Sequence, residues 1–346
     1  MSIENLAEQA VAFSVPLAME FRSSHSRQGV VFSGPNGWGE FAPFADYSDE
    51  LAGRWLAGAL ELAFGNLPKL ERTEVPVNAI IPATDEVTAF ELVQKAVQNF
   101  GVTTIKVKVA QTGQNLADDV ARVRAVRSAL VANGVPDGKV RLDVNGGWSL
   151  DQAKTAVPAL TKAAGELEYL EQPCADLSDI AELRKATDTQ IAIDEALRQV
   201  TELDILAIRD AADLLVVKSI PLGGVNATLR LIDRLDMPVV VSGSMDTSVG
   251  LYSALHLAGS VPELAGACGL GTGTLLALDL VPETSLPKNG VMEVVRTIPD
   301  SHCLAVAHAL TTQEMRDYWR NRIVSAWYAS AKEIVAPEIK HAVLSC

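Results

Sequence analysis

Charged residues interrupt the ends of five short apolar runs in this chain: Ile105-Lys106-Val107-Lys108-Val109, Leu142-Asp143-Val144-Asn145, Tyr169-Leu170-Glu171-Gln172-Pro173, Ile193-Asp194-Glu195 and Val216-Val217-Lys218-Ser219. Runs of this kind read as strands buried on both faces. Side chains alternate along a strand, so Ile105, Val107 and Val109 share one face, while Lys106 and Lys108 share the other. Arg141, Asp143 and Asn145 fall on one face in the same way. Taken singly, each charge has a plain explanation: a rim lysine in a salt bridge, or a carboxylate capping the next helix. Taken together, Asp143, Glu171 and Asp194 place three negative charges at successive strand ends, where they repel one another unless a cation sits among them. Oxygen ligands without His or Cys select a hard ion such as Mg²⁺. Lysines then flank the cluster from both sides. A partly buried lysine near a divalent ion has its pKa lowered by desolvation and by the ion's charge, and so serves as a base near neutral pH. The chemistry this set supports is removal of a proton α to a carboxylate, with the ion stabilising the resulting anion.

The elements that must position these residues are legible from periodicity. Eight candidate strands are Val77–Pro82, Thr104–Val109, Val140–Val144, Leu167–Glu171, Gln190–Asp194, Leu214–Ile220, Pro238–Ser242 and Ala265–Gly269. Helical stripes separate most of them: Val87, Phe90, Val93, Val97 and Phe100 up to Gly101, and Val120, Val123, Val126 and Leu130 before Asn133-Gly134. Ser149-x-x-Gln152 is a capping box, and Thr201-x-x-Asp204 offers a similar cap. Repeated βα units over about 200 residues predict a (β/α)-barrel, a modified TIM barrel of (β/α)7β type, with its site at the C-terminal ends of the strands. A doubly wound open sheet alternates the same way, but no GxGxxG follows the first strand. The expected organisation is an α+β capping domain over residues 1–76, the catalytic barrel over 77–280, and a C-terminal segment over 281–346. That segment holds a strand at Val291–Val295 and a helix capped by Thr311-x-x-Glu314. Its stripe of Trp319, Ile323, Ala326 and Trp327 is expected to pack on the capping domain or at a subunit interface.

Composition bounds the partners. The chain has 346 residues, 29 basic and 43 acidic side chains and a net charge of −14. Such a charge, with no basic stripe, argues against nucleic acid. The 48% hydrophobic content supports a large core. Cys174, Cys268, Cys303 and Cys346 are scattered without a CxxC pair, which fits a reducing compartment. The apolar stretch Ala10–Met19 follows Glu4 and Glu8 and is broken by Ser14 and Pro16, so neither an export signal nor a membrane span is expected. The expectation is a cytoplasmic protein without a membrane partner, monomeric or homo-oligomeric.

From Gly37-Trp38-Gly39-Glu40 through Lys106-Val107-Lys108, Asp143-Val144-Asn145-Gly146, Glu171-Gln172-Pro173, Asp194-Glu195 and Lys218 to Gly223-Gly224, the chain resembles the enolase superfamily in its muconate-cycloisomerase-like branch. The resemblance implies that Asp143, Glu171 and Asp194 hold one Mg²⁺ and that Lys108 is the catalytic base. Lys218 would be the opposing lysine, and Lys106 would support Lys108 or the substrate carboxylate. Three features are similar to the branch's aromatising dehydratases of menaquinone biosynthesis: residues 37–44, Arg141 two positions before Asp143, and the segment Lys218–Gly224. They imply a lyase that dehydrates 2-succinyl-6-hydroxy-2,4-cyclohexadiene-1-carboxylate. Lys108 would take the α-proton and then assist departure of hydroxyl from the same face, with Lys218 a cation on the other. Arg141, Asn145, Ser242, Gly243 and Ser244 are the candidates for binding this small carboxylate. The turn Ser242–Asp246 precedes a helix from near Thr247, whose terminal N–H groups are expected to help position the succinyl part. A racemase of N-succinylamino acids or a dipeptide epimerase of the same superfamily needs the same two lysines, and a non-catalytic metal-binding barrel is a distant alternative. The roughly 45 residues after Asp300 exceed the short dehydratase form.

Overall fold

The computed structural model describes residues 1–21, 24–199, 202 and 204–344. Three antiparallel strands, β1 (Val11–Phe21), β2 (Ser24–Gly34) and β3 (Gly37–Phe41), form an N-terminal sheet. Helix Asp49–Phe64 covers it. Ser48 caps that helix by accepting from Leu51 N at 3.3 Å, and Asp49 and Glu50 complement the dipole in its first turn. Helix and sheet meet at backbone distance: a Cβ on Gly39 would stand 2.2 Å from the Ala59 carbonyl oxygen.

After β4 (Glu74–Pro76) the chain enters a parallel sheet of β5 (Ala79–Ile81), β6 (Thr104–Lys108), β7 (Lys139–Asp143), β8 (Tyr169–Glu171), β9 (Ile191–Ile193), β10 (Leu214–Val217) and β11 (Val239–Val241), ordered as in sequence. Residues 265–269 close it into a barrel. On one side Ala265 N and Gly269 N donate to Val239 O and Val241 O, both at 2.8 Å; on the other, Cys268 N donates to Pro76 O at 2.7 Å and Asn78 N to Cys268 O at 2.9 Å. β12 (Val291–Glu293) pairs antiparallel with β4. Strand alternation sorts the side chains as the sequence predicts. Ile105, Val107, Val109, Leu142 and Leu170 pack outward among Val93, Val123, Val126 and Leu160 of the helices, while Tyr169, Ala192, Leu214, Val216 and Val240 fill the interior.

Seven of the eight predicted barrel strands lie within three residues of those observed; the eighth, Ala265–Gly269, forms only the isolated bridges Val77 to Cys268 and Ser242 to Gly269 among the described residues. The two helical stripes become Glu86–Phe100, ended by Gly101 at φ +66°, and Leu116–Ala132, although Val87 is exposed rather than part of the buried face. The capping box at Ser149 and Gln152 forms. Thr201 lies outside the described residues; Asp204 caps helix Ile205–Ala211, accepting from Ala207 N at 3.0 Å. Thr312, not Thr311, caps helix Gln313–Ala326, because Thr311 Oγ1 is turned back onto His308 O at 2.7 Å.

That C-terminal helix lies on the N-terminal unit. Trp319, Ile323, Ala326 and Trp327 are buried with Trp55, Leu56 and Leu60 of helix Asp49–Phe64, and Arg322 donates to the Tyr47 carbonyl and the Asp49 carboxylate. No helix among the described residues is long and apolar enough to cross a membrane.

Candidate active site

Parallel register brings the charged strand ends to one level: Lys108 pairs with Asp143, and Asp143 with Glu171. Asp194 directly follows β9 and Lys218 directly follows β10, so five consecutive strands contribute to one arc. Asp143, Glu171 and Asp194 are each at most 1% exposed. Lys106 Nζ donates to both Glu171 oxygens at 3.0 Å and stands 3.0 Å from Asp143 Oδ2. Lys108 Nζ donates to Asp143 Oδ2 and Asn145 Oδ1, each at 2.6 Å. Lys218 Nζ donates to Asp194 Oδ2 at 2.6 Å.

Burial and pairing pull these groups apart in proton affinity. Burial pushes the Glu171 carboxyl up, to about 7, and the neighbouring Asp143 charge adds to it. Asp143 and Asp194 are buried too, but the cations beside them outweigh burial and hold both below the usual carboxylate range: Lys106 and Lys108 for the first, Arg198 and Lys218 for the second. Burial opposes charge on Lys106, yet Asp143 and Glu171 reverse that and raise it well above an ordinary lysine. The two carboxylates beside it thus favour the charged form of Lys106.

A second ring of contacts holds this arc. Arg198, on helix Glu195–Arg198, grips Asp194 and also donates to Glu195 Oε1 at 2.5 Å and to the Tyr47 hydroxyl. Asn145 Nδ2 donates to Glu195 Oε1 at 3.0 Å. Gln172 Oε1 accepts from Asp194 N at 3.0 Å and Ala196 N at 3.3 Å, tying the end of β8 to the loop after β9. Asn145 and Gln172 both adopt positive φ, +51° and +39°, where the chain turns sharply off its strand.

Lys106, Lys108, Asp143 and Lys218 face a cavity of about 30 Å³ together with Ser242, Gly243 and Ser244, as well as Ile80, Phe44, Met245 and Thr272. Two sequence expectations change here. Arg141 is interior but sits a layer below the mouth: its guanidinium donates to Glu168 Oε2 at 2.5 Å, Asn78 Oδ1 at 3.0 Å and Ala267 O at 2.6 Å, and it stacks on Tyr169. These partners lie at the N-terminal side of the barrel, one layer below Lys108 and Asp143, although Arg141 pairs in register with Lys106. The N-terminus of helix Ser248–Ser260 does not face the cavity with free donors either. Thr247 N and Gly250 N donate to Glu40 at 3.2 and 3.0 Å, and Ser248 N donates to Asp279 Oδ1 at 3.1 Å. Arg198 was legible as an i, i+4 partner of Asp194, and Phe44 ends the 37–44 motif; Tyr47 and Thr272 carried no local signal, because only the tertiary fold brings them to the site.

Among the described residues, no three His, Cys, Asp or Glu side chains converge in a metal-coordinating arrangement, since each carboxylate of the arc is turned to a lysine or arginine. The donor set nonetheless fits a hard divalent cation. It offers only carboxylate oxygens on three adjacent strands, crowded enough that Glu171 resists ionisation. Binding an ion requires lysine contacts to be exchanged for it.

A capped (β/α)-barrel whose mouth sets lysines around three buried carboxylates has its charged groups where barrel enzymes bind small-molecule substrates. Residues 89–300 match the family model described as enolase C-terminal domain-like, and residues 12–63 the one described as enolase N-terminal domain-like. The o-succinylbenzoate synthases of Mycobacterium marinum and Mycobacterium tuberculosis are both 41% identical over 94% of this chain and 95% of their own length. Among solved structures, muconate lactonizing enzyme from Pseudomonas fluorescens aligns with a TM-score of 0.70 at 16% identity, over 86% of this chain and 97% of that one. The L-Ala-D/L-Glu epimerase from Bacillus subtilis aligns with a TM-score of 0.69 at 19% identity, over 84% and 96%. The chain belongs to the enolase superfamily.

Proposed function

We propose that this chain is an o-succinylbenzoate synthase, a lyase that removes water from 2-succinyl-6-hydroxy-2,4-cyclohexadiene-1-carboxylate. The observation that carries the reading is the placement of Lys108 and Lys218 on one cavity beside three buried carboxylates, in a chain 41% identical to named synthases. Lys108 Nζ, in its neutral form, takes the proton α to the ring carboxylate. The ammonium so formed returns that proton to the departing hydroxyl on the same face, so water leaves and the ring becomes aromatic. Lys218, held by Asp194 at 2.6 Å, remains a cation and stabilises negative charge on the other face. Lys106 stays protonated and keeps Asp143 and Glu171 in place. Asp143, Glu171 and Asp194 would hold one Mg²⁺, which when bound supplies positive charge at the substrate carboxylate as its α-proton is lost. Asn145, bonded to Lys108, orients the base, and Ser242, Gly243 and Ser244 line the side that receives the rest of the substrate. Arg141 acts from below, fixing the strand that carries Asp143. The acidic, lysine-focused site suits a diffusible carboxylate in the cytoplasm, with no membrane or nucleic acid involved.

The test follows aromatisation of the cyclohexadiene substrate by ultraviolet absorbance, with and without EDTA. Turnover that EDTA abolishes and Mg²⁺ restores supports the reading. Absence of turnover, with solvent deuterium entering the α-position of an N-succinylamino acid, would replace it by a racemase.

A further inference from the structure

We propose that Thr272 is a substrate-binding residue of this site, its hydroxyl bonding an oxygen of the substrate's succinyl arm. Thr272 lies in the short 3-10 turn Gly271–Leu275, directly after the segment 265–269 that closes the barrel. It is 4% exposed, and its Oγ1 has no hydrogen-bond partner among the described residues. Two other buried threonines are paired: Thr228 Oγ1 donates to Gly224 O at 2.7 Å and Thr311 Oγ1 to His308 O at 2.7 Å, while the unpartnered Thr161 Oγ1 lies on a helix away from this cavity. Burying an unpartnered hydroxyl costs stability, and a group kept at that cost on the wall of an active-site cavity is positioned for a ligand.

The turn that carries it is closely packed. A Cβ on Gly271 would stand 2.9 Å from Asn78 O, and one on Gly273 2.7 Å from Ser285 O, so the glycines let this backbone press against two other segments. Thr272 lines the same cavity as Lys106, Lys108 and Lys218, across the barrel from the carboxylate strands β7, β8 and β9. The carboxylates stand at the ends of β7, β8 and β9. Thr272 follows the strand that joins β11 to the beginning of the barrel. A substrate whose ring carboxylate lies at the acidic arc therefore extends its remaining atoms toward Thr272. Next to Ser242 and Ser244 of the cavity wall, Met245, Leu275 and Ile80 pack together on that side. Those side chains suit the methylenes of a succinyl arm, and one hydroxyl among them fixes the arm's orientation.

This inference rests on the synthase reading, and the experiment separates the two. Thr272→Val keeps the shape and removes the hydroxyl; Thr272→Ser keeps the hydroxyl. Each is assayed for kcat and KM with the cyclohexadiene substrate, for affinity toward o-succinylbenzoate and toward benzoate, which lacks the arm, and for thermal melting. Thr272→Val should raise KM and weaken o-succinylbenzoate about tenfold. Its kcat should change less than KM, and benzoate affinity and melting temperature should hold. Thr272→Ser should stay near wild type. Unchanged o-succinylbenzoate affinity in Thr272→Val, or an equal loss for benzoate, would overturn the assignment alone. A wild-type enzyme that neither turns over the diene nor binds o-succinylbenzoate overturns both readings.

Discussion

Arg198 donates to both oxygens of Asp194, from Nε to Oδ1 at 2.7 Å and from Nη2 to Oδ2 at 3.1 Å. Both side chains are nearly inaccessible to solvent, and Lys218 reaches Oδ2 from the other side at 2.6 Å. The same guanidinium bonds the Tyr47 hydroxyl, and the Tyr47 carbonyl accepts from Arg322 in the C-terminal helix. The orientation of one candidate metal ligand is thus fixed through a chain of contacts that begins in the N- and C-terminal segments. Arg198→Lys keeps the charge but cannot fork onto the carboxylate. Activity should fall about 10- to 100-fold, as for other groups that orient metal ligands. Steady-state rates on a variant with native melting check this, and a rate within twofold of wild type would count against the role.

The proposed chemistry turns on Lys108. Its Nζ sits between Asp143 Oδ2 and Asn145 Oδ1, whereas Lys106 bonds Glu171 and stands beside Asp143, and Lys218 bonds Asp194. Lys108→Ala should lower dehydration by about 10²- to 10⁴-fold, the scale of a lost general base. Divalent-ion binding by calorimetry and the circular dichroism spectrum should be retained. A variant with near-normal turnover would sink the mechanism.

Removal of the ion is expected to stop the reaction and leave the fold intact, because the buried carboxylates already have lysine and arginine partners. Asp194→Asn removes one anionic donor while its neighbours remain. The midpoint of the Mg²⁺ titration of activity should move to higher concentration, and an unchanged titration would remove Asp194 from the ligand set.

Much of this site could be read before the fold was known, for a physical reason. A charge at the end of an otherwise apolar strand is conspicuous, and the period of two assigns its face, so Lys106, Lys108, Asp143, Glu171, Asp194 and Lys218 stand where strand alternation puts them. Alternation gives a face but not a depth. Arg141 shares the face of Asp143, yet lies two residues earlier, which places its guanidinium among Glu168, Asn78 and Ala267 rather than at the mouth. The helix after β11 was misjudged for a related reason. Its terminal N–H groups are real donors, but Glu40, more than 200 residues earlier in sequence, already accepts two of them. Thr272 was invisible because nothing about a Gly-Thr-Gly turn says which cavity it meets.

Burial of Glu40 at the junction of cap and barrel predicts that the stability of this junction depends on pH. It is fully buried against Thr247 and Gly250, and burial, followed by the nearby Asp246 charge, pushes its carboxyl up to about 8 from an ordinary 4.5, although Arg27 opposes this. Asp246 is raised as well, again by burial first. A carboxyl whose folded pKa is raised binds a proton in the native state that the unfolded chain has already lost. Stability therefore falls as pH climbs from the unfolded value through the folded one, at no more than about 1.4 kcal/mol per pH unit for each such group. Asp246→Asn keeps an acceptor for Ser244 N, which bonds Asp246 Oδ2 at 2.8 Å, and removes both its own titration and the like charge beside Glu40. The Glu40 carboxyl should then titrate lower, and the loss of stability between about pH 5.5 and about pH 8 should shrink relative to wild type. Urea unfolding at the two pH values measures that difference. An equal decline in both proteins would show that the Glu40 and Asp246 pair does not set the pH dependence of this junction.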